Sequence, residues 1–253
     1  MQILKWKKEK KNLYTAFLNN QSEISIYEEL VLKYDLLLKK NISDKELEKI
    51  KKENFLLEGY YEALKYLTRK MRSRKEIDDF LKRKEYSKEC RDFVLEKLEK
   101  EGYVNDQKFL EVFLHDQLSL TLNGPFKIKK ELEKLGILDY SLLDEISDKV
   151  WQERILKIVK KREGIQKKES EKLFKKKLIM YIYTYGYSMS MIESILENYS
   201  VEIDENVLLK EKEKYLKKLS SKYDGNALVW QVKRKLYQRG YSSEEIEKIF
   251  EKE

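Results

Sequence analysis

The sequence predicts an all-α fold: tandem three-helix repeats in an elongated, curved array, behind a small N-terminal β-hairpin-like element. Three observations lead there. The 253 residues include one proline and eight glycines, and 40% are charged, with the helix formers Lys, Glu and Leu dominant. Apolar residues make up 41% of the chain and recur at three- and four-residue spacing, enough to line a core. Finally, one pattern occurs four times at intervals of 51, 50 and 54 residues.

Residues 1–26 stand apart. "KNLYTAFLNN" and "SEISIYEEL" are aromatic and β-branched, with Ile24 and Ile26 alternating with polar neighbours and "NNQ" between the runs. That reads as an antiparallel hairpin or three-stranded element. From Tyr27 the period turns helical. Ser43 and Glu46 have capping-box spacing ahead of a long helix with Leu47, Ile50, Leu57, Tyr61 and Leu64 on one side.

The repeat is anchored on Tyr86, Ile137, Tyr187 and Tyr241. Nine residues earlier stand Ile77, Ile128, Leu178 and Val232, and five earlier Leu81, Leu132, Ile182 and Leu236. Each such pair is four residues apart, on one face of a helix. Nine residues later stand Leu95, Ile146, Leu196 and Phe250. Gly136, Gly186 and Gly240 precede three of the anchors, where a left-handed residue ends a helix; Glu85 is the exception. Ser242 and Glu245 then open a further helix as a second capping box. An amphipathic helix precedes each pair, so the unit is three helices. The expected division is 1–56 (hairpin element and linking helices), then repeats at 57–105, 106–150, 151–202 and 203–253. Repeats that contact mainly their neighbours offer a long surface to a partner.

Chemistry is harder to find. Cys90 and His115 are the sole cysteine and histidine, which excludes a disulfide framework and Cys/His zinc sites. Cys90 reads as a packing residue and His115 as a polar-face one. No phosphate-binding glycine loop follows a strand pattern. The acids sit at helical spacing from bases, as surface pairs do. Asn105 and Asp106 read as helix-entry caps, and Pro125 as a first-turn proline. The reading is a non-enzyme without cofactor or metal. "MQILKWKKEK" carries charge where a leader needs an apolar run, and no stretch approaches a membrane span, so a cytoplasmic location is expected.

The net charge is +8 and uneven. Residues 107–150 hold six bases and eight acids, whereas residues 157–177 hold ten bases and three acids. That run includes Lys160, Lys161, Arg162, Lys167, Lys168, Lys175, Lys176 and Lys177 and is a candidate DNA-facing surface. Within 65–75 six bases occur without an acid, among them Arg69, Arg72, Arg74 and Lys75. Lys127, Lys130 and Lys134 form a further basic stripe opposite Ile128, Leu132 and Leu135. Basic excess of this kind suits an acidic partner, either nucleic acid or a protein bound to it.

Three stretches in order, "YLTRKMRSRKEI" (66–77), "EGYVNDQKF" (101–109) and "GPFKIKKELEKLGI" (124–137), resemble the RecX family, regulators of the RecA recombinase. The likeness extends more weakly over the whole chain, through "YIYTYGYSMSMI" and "KLYQRGYSSEEI". Asn105 stands where the family commonly has an acid, Leu110 where a small residue is usual, and Glu85 in place of Gly, which suggests altered packing in the first two repeats. The resemblance implies three-helix units in the groove of a RecA–single-stranded DNA filament. They would restrain its growth, ATP turnover, strand exchange and the co-protease action behind the SOS response. A monomer is expected, and the bases of 157–177 would give it weak contact with single-stranded DNA, directly or through RecA. On charge, Arg69, Arg72, Arg74 and Lys75 would meet acidic filament surface or phosphate, aimed by the Ser73–Glu76 cap. The alternative is a sequence-independent nucleic-acid binder acting without RecA; a helical scaffold that binds neither is the third reading.

Overall fold

The alternating N-terminal segment folds into one antiparallel sheet of order β1-β2-β3: β1 (Ile3–Lys8), β2 (Leu13–Leu18) and β3 (Glu23–Tyr27). The computed structural model describes residues 1–9, 12–163, 170–197, 199 and 205–251. Tyr14 pairs with Lys8 on one side and Ile26 on the other, and a register shift interrupts the ladder between Ile3 and Lys5. Ile3, Ala16, Leu18 and Ile26 face a core completed by Leu30, Val31, Leu36, Ile42, Leu47, Ile50 and Leu57. Asn54 ties the sheet to its helix. Its side chain accepts from the Tyr27 amide at 3.0 Å and donates to the Ser25 carbonyl at 2.9 Å, so β3 is not left with bare edge groups.

Beyond α1 (Glu28–Lys33) the described helices fall into threes. The first group is α2 (Asp44–Leu67), α3 (Arg74–Arg83) and α4 (Lys88–Lys100); the second is α5 (Asp106–Leu120), α6 (Pro125–Lys134) and α7 (Ser141–Asp144). The third is α8 (Asp148–Glu163), α9 (Glu171–Thr184) and α10 (Met189–Glu197); the fourth is α11 (Glu205–Leu219), α12 (Gly225–Gln238) and α13 (Ser243–Glu251). All eight residues of the four-spaced pairs are buried, as are the anchors Tyr86, Ile137, Tyr187 and Tyr241.

The later landmark is less uniform. Leu95 and Leu196 are buried, but Ile146 and Phe250 are half-buried, and Leu143 and Ile249 fill the core in their place. In the second group the reason is length: α7 is a single turn, so Ile146 falls beyond its end.

Caps are built largely as their spacing predicts. Ser73 with Glu76 and Ser242 with Glu245 are complete capping boxes. At Ser43 only half forms: its hydroxyl accepts from the Glu46 amide, while the Glu46 carboxylate turns to Lys39 at 2.8 Å. The chain separates into two compact units, residues 1–112 with 134–138, and residues 113–133 with 139–253.

Candidate partner-binding surface

The anchor glycines mark a junction that recurs. Gly136, Gly186 and Gly240 have φ of +81°, +87° and +91°, the left-handed helix stop. Each also lies against the first turn of an earlier middle helix. A Cβ on Gly136 would sit 2.7 Å from Lys75 Cβ, one on Gly186 2.5 Å from the Lys127 backbone nitrogen, and one on Gly240 2.6 Å from Ser170 Oγ. Hydrogen bonds complete the contact. Ser73 Oγ donates to the Leu135 carbonyl at 2.7 Å, the Gly124 amide to the Tyr185 carbonyl at 2.7 Å, and Ser170 Oγ to the Arg239 carbonyl at 2.7 Å. Carbonyls at one helix end thus accept from the start of another helix, from the capping serine hydroxyl at two junctions and from backbone amides at the third.

Glu85 has the same backbone conformation, φ +64°, but its side chain is exposed. The turn is therefore kept: the Tyr86 amide reaches the Leu81 carbonyl as Tyr241 reaches Leu236. No three-helix group precedes it, so a side chain fits where the other three positions have no room. Leu110 is buried and Asn105 caps α5, accepting from the Lys108 amide at 2.9 Å. Its neighbour Asp106 accepts from the Arg74 amide at 2.8 Å, capping α3 from outside.

The basic residues fall into distinct situations. Arg69 is exposed between α2 and α3. Arg72 is largely covered: its guanidinium lies 4.2 Å from the Tyr66 ring centroid, Tyr66 stacks on Phe80, and Glu76 takes the charge at 2.8 Å. Arg74 is exposed but paired with Glu99 at 2.6 Å. Lys75 donates to the Lys134 carbonyl at 2.7 Å while its stem covers Gly136. The stretch is free of acid in sequence but not in space, because Glu76, Asp79 and Glu99 come to meet it.

Lys127, Lys130 and Lys134 are exposed along α6, Lys127 with its backbone against Gly186. Lys160 and Lys161 are exposed at the end of α8, and Arg162 lies 4.4 Å from the Tyr181 ring centroid. Lys175 pairs with Glu171 at 2.9 Å, and Lys176 and Lys177 are exposed. Lys167 and Lys168 lie outside the described residues.

Two further features were not foreseen from sequence. Arg154, only 5% exposed, donates to the carbonyls of Leu118, Thr121, Gln117 and Asn123 at 2.6–3.2 Å. It closes the C-terminal end of α5, where unpaired carbonyls carry partial negative charge. In sequence it is one base among many; its only local sign is an arginine flanked by the apolar positions Trp151, Ile155 and Ile158. The other is the Ser73–Leu135 bond, which ties the start of α3 to the turn that follows α6.

Cys90 is buried, and desolvation pushes its thiol up to about 11, with the Glu58 charge adding to the effect. His115 is exposed. Among the described residues no helix is long and apolar enough to cross a membrane, and no cluster of three or more His, Cys, Asp or Glu could hold a metal ion.

A helical protein built from three-helix groups, with cationic exposed faces, is the class these features define. Comparison with known proteins agrees. Residues 60–98 match the model described as "RecX, first three-helix domain". The chain is 30% identical to "Regulatory protein RecX" of Streptococcus uberis across 98% of both chains, and 28% identical to that of Listeria monocytogenes serotype 4a across 94% of this chain and 90% of the relative. Its fold resembles "Crystal structure of regulatory protein RecX" (TM-score 0.68, 21% identity, 78% of this chain and 99% of that one). It also resembles RecX from Lactobacillus salivarius (TM-score 0.52, 26% identity, 57% and 96%). The chain belongs to the RecX family of regulatory proteins.

Proposed function

We propose that the protein binds the RecA–single-stranded DNA filament along its helical groove and mainly inhibits it. ATP turnover, strand exchange and the co-protease activity of the SOS response would all be restrained. It acts by binding, in the cytoplasm, and not by catalysis. The end-to-end match to a regulatory relative, 98% of each chain, carries this reading. The repeated junctions support it. A regulator that follows a helical groove needs successive groups held in step, and within the second unit a hydrogen bond to a helix-end carbonyl, Gly124 to Tyr185 and Ser170 to Arg239, joins one group to the next.

Among the candidate contact residues, exposure favours some over others. Arg72 is engaged with Tyr66 and Glu76 and serves the fold, so partner contact falls to exposed bases such as Arg69, Lys130 and Lys134. The test is RecA ATPase on single-stranded DNA with Arg69→Glu/Lys134→Glu. A control of equal charge change is Lys45→Glu/Lys52→Glu, both exposed on α2. Juxtaposed like charge costs several kcal/mol at an interface, so the first variant should lose inhibition and the control keep it. Retention of full inhibition by the first variant would remove these residues from the interface. Absence of inhibition by the wild-type protein would overturn the reading itself.

A further inference from the structure

The outward faces of the middle helices carry large rings where solvent-facing residues should be polar. The repeat aligns Phe126, Lys176 and Trp230; one turn on, Lys130, Met180 and Arg234; and a turn further, Glu133, Tyr183 and Tyr237. All nine are exposed, Trp230 at 59% and Tyr237 at 64%. The corresponding positions of α3 are Lys75, Asp79 and Lys82, with no ring. Of the four middle helices, it is therefore α6, α9 and α12 on which rings and cations interleave.

The junctions make these stripes follow one another. Gly240 sets the last turn of α12, with Tyr237, against the first turn of α9. Gly186 sets the last turn of α9, with Tyr183, against the first turn of α6, with Phe126. On α12 the rings of Trp230 and Tyr237 are two turns apart, about 10 Å along the axis, with Arg234 between them. The Arg234 guanidinium lies 5.5 Å from the Trp230 ring centroid, and α12 contains no acid.

We infer that this face binds single-stranded nucleic acid, its rings stacking on unpaired bases and its Lys and Arg meeting the phosphates. The chemistry selects that partner. A ring is useful to a polyanion only if the polyanion has flat faces of its own, and a duplex hides those faces inside its stack. Protein interfaces also bury aromatic anchors, but the alternation of ring and cation repeated on three successive middle helices matches a strand that itself alternates base and phosphate. The inference rests on the proposed function for its setting, a filament that contains single-stranded DNA, and adds which face of this chain would touch the strand.

The probe is a fluorescently labelled oligo(dT), without RecA, measured by anisotropy and by tryptophan emission. Trp230→Ala/Tyr237→Ala should weaken binding at least about tenfold, because losing one stacked base already accounts for roughly that factor. Tyr103→Ala, an exposed ring outside these helices, should change nothing. Trp230→Phe keeps a ring and should keep most affinity but lose the emission quench that oligo(dT) produces in the wild type. Unchanged affinity in the double variant, or an unchanged quench in Trp230→Phe, would overturn the inference. So would an equal loss on duplex DNA, which would make the contact electrostatic only. If oligo(dT) binding persists while filament binding is lost, the face meets protein and the inference is wrong, although the filament reading stands.

Discussion

Replacing Gly186 by Ala isolates what the junction is worth, because Gly102 provides a control with the same backbone. Both are left-handed, with φ of +87° and +77°. A Cβ on Gly102 meets nothing within 4 Å, whereas one on Gly186 meets the Lys127 backbone at 2.5 Å. An L side chain in this region costs roughly 1–2 kcal/mol, partly offset by the ~0.4–1 kcal/mol that Ala gains by restricting the unfolded chain. Gly102→Ala should therefore cost about 1 kcal/mol or less. Gly186→Ala carries that cost and must in addition either strain the contact, at about 1–3 kcal/mol, or open it. Opening removes the Gly124–Tyr185 and Phe126–Gly186 hydrogen bonds, of 2.7 and 3.0 Å, at ~0.5–1.5 kcal/mol each. Either route gives about 2–4 kcal/mol in total. Urea denaturation followed by far-UV circular dichroism measures the difference as a midpoint shift at constant slope. Amide exchange at Gly124 and Phe126 reports whether the junction has opened. Equal midpoints for the two variants, with both amides still protected, would refute the close-approach argument.

Gly240→Val should lower the same midpoint by more than Gly102→Ala, because its side chain would displace Ser170 Oγ from the Arg239 carbonyl. Glu85→Gly should leave the fold unchanged and add about 1 kcal/mol or less to stability in the same urea titration, since it only relieves a left-handed glutamate. Arg154→Met should cost about 2–5 kcal/mol in thermal unfolding, because it leaves several buried carbonyls unpaired. A change below about 0.5 kcal/mol, the range of an ordinary surface substitution, would show that water replaces the guanidinium. Cys90 should react with a disulfide reagent at pH 8 on the order of 100-fold more slowly than an exposed cysteine, from thiolate fraction alone. Because its folded value is raised to about 11, its stabilising contribution holds below the ordinary thiol range and is lost as pH rises toward 11. Cys90→Ala should remove that part of the alkaline decline in stability.

Much of the architecture was legible because it is local. Helix period, capping serines and the apolar pairs depend on residues within a turn or two, so Ile77 and Leu81 or Val232 and Leu236 declare their helices without help from the rest of the chain. The alternation of Ile24 and Ile26 placed the sheet by the same logic. The exception at Glu85 was visible too, but its meaning was not. Sequence shows that three glycines and a glutamate share a turn; it does not show that three of those turns press on another helix and the fourth meets solvent.

The basic surface divides along the same line. Charge counts found the stretch at 65–75, yet they could not register Glu99, which reaches Arg74 from the end of α4, or the Tyr66–Phe80 stack that covers Arg72. Arg154 was invisible as a helix cap because its carbonyl partners belong to a different helix, at the end of α5 and in the turn after it. The helical repeat and the family it belongs to could be read from the chain alone, since period, caps and left-handed stops are properties of short segments. Folding in three dimensions decided the rest: which glycines abut another helix, which arginines are exposed and which are already paired or covered, and which exposed faces carry rings beside cations. Each of these depends on a contact, or a lack of one, between segments far apart in the chain.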